Sequence, residues 1–219
     1  MKTRERILQT SLLLFNQEGE SHVTTVDIAN EMDISPGNLY YHFKGKEVII
    51  EALFERFDDA FSDILQAPVK QSLQVEDSWY YLYVVFEEMY DYRFIYQNLS
   101  DLLQRYEFIQ KRFRRLLNLK FQTAQSMIRI LRDVDILKME DSDVDVLVNG
   151  IVMTATYWIA YSTLRDGIQS QQIILHKGVF QILSLIAPYL SHGKLEYREF
   201  CEDFYKKALS GNLETPGDL

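Results

Sequence analysis

Residues 24 to 47, TTVDIANEMDISPGNLYYHFKGKE, constrain the fold more tightly than any other stretch of the chain. Thr24 fits a helix N-cap, with Asp27 three residues on where a capping-box acid belongs. The short helix that follows is expected to bury Val26, Ile28, Ala29 and Met32. Asp33 interrupts that pattern and tolerates the left-handed backbone of a tight interhelical turn, while Ile34 plugs the corner. Ser35 then caps a second helix, with Pro36 in its first turn where a missing N–H costs nothing. Leu39 and Phe43, four apart, form its inward stripe. Two short helices joined in this way make a helix-turn-helix, whose second helix enters the DNA major groove.

The second helix carries residues with no core role. Asn38, near its start, has the amide geometry to read adenine in a bidentate pair. Gly37 leaves no side chain to hold backbone and bases apart. Tyr40, Tyr41 and His42 offer donors suited to phosphate oxygens. Lys46, beside Gly45 at the start of the next helix, adds a cation where the helix dipole also favours phosphate.

The run from Thr25 to Ala29, then Ile34 to Phe43, then Lys46-Glu47, resembles the DNA-binding signature of TetR-type repressors over some twenty positions. The resemblance implies that Thr25, Ser35, Pro36, Gly37, Asn38, Tyr40, Tyr41, His42 and Lys46 lie on double-stranded DNA. Two positions depart from the usual pattern: Met32-Asp33 replaces Ala-Gly in the turn, and Gly45 stands where Ser is common. Both lie off the expected contact face.

Charge is unusual for such a role. The net charge is −9, and residues 1 to 50 hold five Lys/Arg against seven Asp/Glu. A small positive contact face on an acidic body is expected, with weak non-specific DNA binding that salt removes quickly. With 47% hydrophobic residues, four prolines and nine glycines, 219 residues allow a large core and long uninterrupted helices. Cys201 is the one cysteine, so no intrachain disulfide forms and a reducing cytoplasm is the natural setting. It reads as a small hydrophobe, with oxidant sensing as the sharper alternative.

The N-terminus has a basic start and an apolar run, but Gln9, Thr10 and Ser11 dilute it and no small-residue cleavage site follows. A helix with Ile7, Leu8, Ser11, Leu14 and Phe15 inward, stopped at Gly19, explains it better. From Lys46 a helix is expected to about Leu65, with Ile49, Leu53, Phe57 and Phe61 inward, Pro68 ending the connection, and a soft boundary over 66–75. Residues 76 to 98 are rich in Trp, Tyr and Phe, a stripe that reads as core or as the wall of a cavity. Glu87, Glu88 and Asp91 read as a solvated face. One long helix is expected from 102 to about 132, carrying Lys111-Arg112-Phe113-Arg114-Arg115, either a solvated face or a counter-charge for an anionic ligand.

Residues 146 to 164 contain no charge, which raises a membrane span. The polar residues inside the run and its acidic flank favour a helix buried between core and partner instead. A second apolar helix follows from Gln171 to Tyr189, and an amphipathic one over 194–209. Two helices too apolar for one contact surface suggest a homodimer joined as a four-helix bundle, with Val152, Ile159, Val179, Ile182 and Ile186 at the interface.

No metal-binding or nucleophile motif is present in the sequence, and no cofactor, metal or catalytic residue is assigned. The expected fold is all-α: a three-helix helix-turn-helix DNA-binding domain over 1–47, a larger helical ligand-binding and dimerisation domain over 48–211, and a frayed tail over 212–219. The expected function is that of a cytoplasmic, homodimeric regulator, most simply a repressor, with no membrane role. It would hold a palindromic operator with heads about 34–36 Å apart. A small apolar or amphipathic effector, in a cavity lined by Tyr83, Phe86, Tyr90, Phe113, Met127 and Trp158, would release it. The rival is a helical enzyme or carrier for a hydrophobic molecule.

Overall fold

The computed structural model describes residues 2–67 and 75–210, so Pro68 and the tail 212–219 lie outside the described residues. Local chemistry sets the first third of the chain. Helix α1 (Thr3–Glu18) buries Ile7, Leu8, Ser11, Leu14 and Phe15, the expected face. The Ser11 hydroxyl donates to the Ile7 carbonyl at 2.7 Å, which makes its burial tolerable. Gly19, at φ +87°, ends the helix and leads into a 3-10 turn, Glu20–His22.

Helix α2 (Thr25–Glu31) starts with the reciprocal cap. The Thr24 amide donates to Asp27 Oδ2 at 2.8 Å, and the Asp27 amide donates to Thr24 Oγ1 at 3.2 Å. Asp33 takes the left-handed turn at φ +54°. Helix α3 (Pro36–His42) is capped by Ser35 Oγ, which accepts from the Asn38 amide at 3.2 Å. Ile28, Ala29, Met32, Leu39 and Phe43 are buried as the pattern requires. Val26 is not: it is 47% exposed. Two residues along a helix is a rotation of about 200°, so Val26 cannot share a face with Ile28.

Helix α4 (Lys46–Gln66) buries Ile49, Leu53, Phe57, Phe61 and Leu65 and packs against α1 as well as the body. The body follows as α5 (Val75–Asp91), α6 (Arg93–Gln97), α7 (Leu99–Arg105), α8 (Glu107–Asp133), α9 (Asp141–Asp166), α10 (Gln171–Ile186), a 3-10 turn at Ala187–Tyr189, and α11 (Lys194–Leu209). No strand occurs among the described residues. Helix α8 packs on α4 and α9, while α10 packs on α5, α9 and α11. Gly178 of α10 permits that approach. A Cβ there would stand 2.7 Å from the Trp158 ring and 2.9 Å from Phe86.

The single helix expected from 102 is interrupted. Tyr106 adopts an extended conformation (φ −122°, ψ 98°) between α7 and α8. The apolar pattern runs through this break without a change of period, because the break is made from outside. Glu20, 1% exposed, receives Lys46 Nζ at 2.9 Å and Tyr106 Oη at 2.9 Å on one oxygen, and Arg105 on the other. Burial would raise this carboxyl. The bonds from Lys46, Arg105 and Tyr106 outweigh burial and hold it below its ordinary range. Asn16 makes a second tie: its amide donates to the Asp91 carbonyl at 2.7 Å and accepts from the Phe94 amide at 3.0 Å. One side chain of α1 thus satisfies the end of α5 and the start of α6.

The basic cluster of α8 is largely a solvated face, as expected, with Lys111, Arg114 and Arg115 exposed, but three of its cations are also paired. Arg112 donates to Glu55 at 2.9 Å, Arg115 to both oxygens of Asp58 at 2.7 and 2.6 Å, and Lys111 pairs with Glu107 at 2.7 Å. The first two clamp α8 to α4. Glu88 departs from the solvated face expected of it: burial, then Asp91 and Glu87, push its carboxyl up to about 7.

Removing the charge at Glu20 leaves Lys46 and Arg105 short of an acceptor. Glu20→Gln is expected to lower unfolding free energy by about 3 kcal/mol, measured by urea denaturation near neutral pH. The native carboxyl lies below its unfolded value, so its contribution is present above the unfolded pKa and fades as pH falls through the native one. A wild-type and variant difference that does not shrink on acidification contradicts this assignment.

Candidate nucleic-acid interface and effector cavity

Helix α3 projects its polar residues outward. Ser35, Pro36, Gly37 and Asn38 are exposed, as are Tyr40 (56%) and Tyr41 (77%). Thr25 and His42 are half-buried. A side chain at Gly37 would meet only Ser35 Oγ, at 3.9 Å, so the start of the helix is open to close approach. The Tyr41 and His42 rings meet edge to face at 5.2 Å, and Lys44 Nζ sits 4.7 Å from the Tyr40 ring centre. That cation–π contact keeps a positive charge beside the exposed tyrosines.

Lys46 departs from its expected place on DNA. Its ammonium donates to the Glu20 carbonyl at 2.9 Å and the Val23 carbonyl at 3.0 Å, besides pairing with the Glu20 carboxylate at 2.9 Å. An ammonium has three protons, and all three are engaged within the protein. Sequence spacing could place Lys46 at a helix start. It could not reveal Glu20, 26 positions earlier, beneath it.

The body holds a partly open cavity of about 420 Å³, within the range of small-molecule sites. Its wall is mainly aliphatic: Val85, Ile128, Leu131, Ile151, Leu183 and others, from α5, α8, α9 and α10. Ile136, Leu137 and Leu190 close one end, where the α8–α9 and α10–α11 connections pair. There Lys138 N–H donates to Tyr189 at 2.7 Å and Ser191 N–H to Ile136 at 2.9 Å. Of the residues expected to line a cavity, Met127 does so; Tyr83, Phe86, Tyr90, Phe113 and Trp158 do not.

Those five rings fill space instead of bounding it, and the aromatic part of the wall is Tyr81 and Tyr197. Tyr83 lies 4.9 Å from His176, Phe113 5.9 Å from Tyr96, and Trp158 Nε1 donates to the Ile174 carbonyl at 2.8 Å. Trp79 Nε1 donates to His176 Nδ1 at 3.2 Å, and burial lowers the His176 pKa to about 4, so this imidazole is neutral. Tyr90 packs under the Arg93 guanidinium at 4.7 Å. Cys201 is buried near Tyr197, and burial pushes its thiol up to about 11, which suits packing better than oxidant sensing.

The expected interface residues also lie inside the protomer. Ile159, Val179 and Ile182 are buried, and Val152, Ile182 and Ile186 line the cavity. Helix α9 is apolar around most of its circumference, so composition could not say which face turns inward. Length and composition alone would let it cross a membrane. Val144, Leu147, Val148, Ile151, Trp158 and Ile159 pack within the bundle, while Val146, Met153 (63%), Tyr157, Tyr161 and Leu164 (87%) form an exposed stripe.

Two cavity-lining residues carry buried polar groups: Tyr81, within the aromatic stripe of 76–98, and Lys120, which no sequence pattern singled out and whose ammonium has its neighbours outside the cavity wall. Tyr81 Oη is buried without a hydrogen-bond partner. Lys120 is 6% exposed. Its Nζ has only long contacts, 3.3 Å to Tyr96 Oη, 3.5 Å to Thr156 Oγ1 and 3.9 Å to Met89 Sδ, and lies over the Phe61 and Tyr96 rings. Burial lowers its pKa from 10.5 to about 7. Between those values the unfolded chain holds a proton that the native protein has lost, so this lysine makes stability rise with pH across that window. Lys120→Met is expected to remove that rise, on the order of 5 kcal/mol across the whole window. It should melt above wild type at pH 6 and approach it at pH 9. Equal pH slopes for the two proteins would contradict the burial of a charged group.

Residues 7–53 match the family described as bacterial regulatory proteins of the tetR family, and residues 56–197 match the TetR domain of bacterial transcriptional repressors. A TetR-family regulator from Marinobacter aquaeolei VT8 superposes with a TM-score of 0.82 at 31% identity, covering 95% of this chain and 99% of that one. SmeT, the repressor of the Stenotrophomonas maltophilia multidrug efflux pump SmeDEF, shares the fold at 20% identity and a TM-score of 0.60, covering 89% and 93% of the two chains. The probable regulator YttP of Bacillus subtilis is 32% identical over 66 residues, 30% of this chain and 32% of its own length. The chain spans between 19% and 57% of the length of the curated relatives it matches. These matches do not favour the rival reading as an enzyme or carrier. With both parts of the chain matched in order and one solved structure aligned almost end to end, the chain belongs to the TetR family of bacterial transcriptional regulators.

Proposed function

We propose that this protein is a homodimeric, ligand-responsive repressor that binds a palindromic DNA operator in the cytoplasm and leaves it when a small molecule enters the cavity. The observation that carries this reading is the exposed face of Ser35, Gly37, Asn38, Tyr40 and Tyr41, on a helix whose cap and inward stripe are already satisfied. Asn38 reads a base edge, while Tyr40, Tyr41, His42 and the adjacent Lys44 contact phosphates. Thr25 sits at the start of α2, where a backbone phosphate contact is geometrically natural. Lys46 supports the head from beneath.

The second copy covers the outward stripe of α9. Val146, Met153, Tyr157, Tyr161 and Leu164 repeat every three to seven residues along one face, with Leu185 of α10 also exposed. Gly150, where an added Cβ meets nothing within 4 Å, lies within the same stripe. Two such pairs of helices make the four-helix interface expected of the dimer, rotated from the residues first expected there. The SmeT–triclosan complex shows this fold holding a small molecule. An effector acts only through its differential affinity for the two head spacings.

Fluorescence anisotropy on promoter fragments tests the reading head. Asn38→Ala should cost about 1–3 kcal/mol and relax one base position, whereas Tyr41→Ala and His42→Ala weaken all fragments alike. Unchanged affinity in a variant combining Asn38→Ala, Tyr41→Ala and His42→Ala removes the DNA reading. For the interface, Met153→Glu with Tyr157→Glu should give a folded monomer by sedimentation and circular dichroism. A dimer that survives both changes places the contact elsewhere.

A further inference from the structure

The Lys46 ammonium closes the reading head on itself. It bonds to the carbonyls of Glu20 and Val23 and to the Glu20 carboxylate, so the chain from Thr24 to Gly45, α2 and α3 included, is a loop tied at its base. The tie has a second side, facing the body. Glu20 Oε1 also accepts from Tyr106 Oη at 2.9 Å, and Oε2 accepts from Arg105 at the end of α7. Arg105 is held from behind: its Nε donates to Asp101 at 3.0 Å, and its guanidinium lies 5.3 Å from the Tyr106 ring centre. Neither Glu20 nor Arg105 belongs to the face expected on DNA.

Other contacts between head and body run through α1. Helix α3 packs on α2, α2 on α1, and α1 on α4 and α6. The polar ties of Glu5 and Asn16 also issue from α1. Glu20, by contrast, is bonded directly to the base of the loop that carries α3. Packed helix faces can slide by small amounts. A carboxylate with both oxygens engaged by a guanidinium, an ammonium and a phenol has far less freedom, because each bond is directional. Such a cluster is a weak source of stability, since apolar residues of similar volume often do as well. What it supplies is one defined arrangement.

We propose that Glu20 and Arg105 are positioning residues for DNA recognition: they hold the α2–α3 loop at one angle to the body, and Lys46 acts within that tie instead of on a phosphate. This rests on the reading of α3 as the helix that enters DNA. Two heads on a palindrome must present both α3 helices in matching places. A head free to rock is in register for only part of the time, and apparent affinity falls by that fraction. In register one-tenth of the time, it binds about tenfold more weakly with every contact residue intact.

Fluorescence anisotropy of the full-length protein, over a range of salt concentrations and on the promoter fragment held tightest, tests the proposal. Arg105→Met leaves Glu20 with Lys46 and Tyr106, and should stay folded by circular dichroism while binding about tenfold more weakly. Its salt dependence should match wild type, because no phosphate contact is lost. Arg105→Lys should recover part of the affinity. Lys46→Met should also weaken binding at an unchanged salt slope, whereas a lysine on phosphate would lower the slope by about one. Lys111→Met removes an equal charge from an exposed pair on α8 and should bind as wild type does. If Arg105→Met unfolds, Tyr106→Phe, which deletes one donor and keeps the ring, is read in the same way. The proposal is overturned if the folded variant binds as tightly as wild type, if Lys111→Met weakens binding equally, or if Lys46→Met lowers the salt slope. A wild type that binds no fragment removes the reading of α3 and this proposal together. Wild-type binding beside an indifferent Arg105→Met removes the positioning role alone.

Discussion

The Glu20 carboxylate joins the two halves of this protein. It sits in a 3-10 turn of the head, receives Lys46 from the first turn of α4, and receives Arg105 and Tyr106 from the corner between α7 and α8. A buried carboxylate must have its lone pairs satisfied, and these donors satisfy them only when head and body hold one relative position. Asn16 repeats the arrangement with a neutral side chain, bridging α1 to the junction of α5 and α6. Arg56 with Glu5 and Arg115 with Asp58 add ion pairs along α4. The head therefore does not hang from a flexible linker; it is keyed to the body through polar groups with directional demands.

That keying gives a route from cavity to DNA. Lys120 lies 5.0 Å from the Phe61 ring centre, and Phe61 belongs to the same continuous helix that begins at Lys46. A helix transmits displacement along its length because its backbone bonds resist stretching. A change in packing around Lys120 would reach α4 through Phe61 and, at the other end of that helix, the Glu20 cluster that Lys46 joins. The coupling requires two packed states of unequal ligand affinity, and the tight core makes discrete states more natural than continuous bending.

Patterns of one or a few residues were legible wherever the physics is local. The Thr24–Asp27 box, the left-handed Asp33, the Ser35 cap and the inward Leu39 and Phe43 all depend on neighbours within four positions. The face of α1 was equally readable, since a single amphipathic stripe leaves one orientation. Reading failed where a residue's partner is remote. The break at Tyr106 is stabilised by Glu20, 86 positions away, and leaves no trace in periodicity. Lys46 bonds backward to a turn 23 to 26 positions earlier rather than outward.

Helix α9 and the aromatic stripe show the same limit from another side. Where apolar residues surround a helix, hydrophobicity fixes burial in general but not the face, and only packing against α8 and α10 turned Ile159 inward and Met153 outward. Most large rings are drawn to fill a core, so the cavity fell mainly to aliphatic residues, with Tyr81, Tyr197 and one lysine that resembles any other in sequence. By itself the sequence determined an all-helical chain with a capped helix-turn-helix at its start, because caps, turns and stripes are short-range. Tertiary structure decided which charges are buried, which face stays bare and where empty space remains, because those depend on what the folded chain brings together.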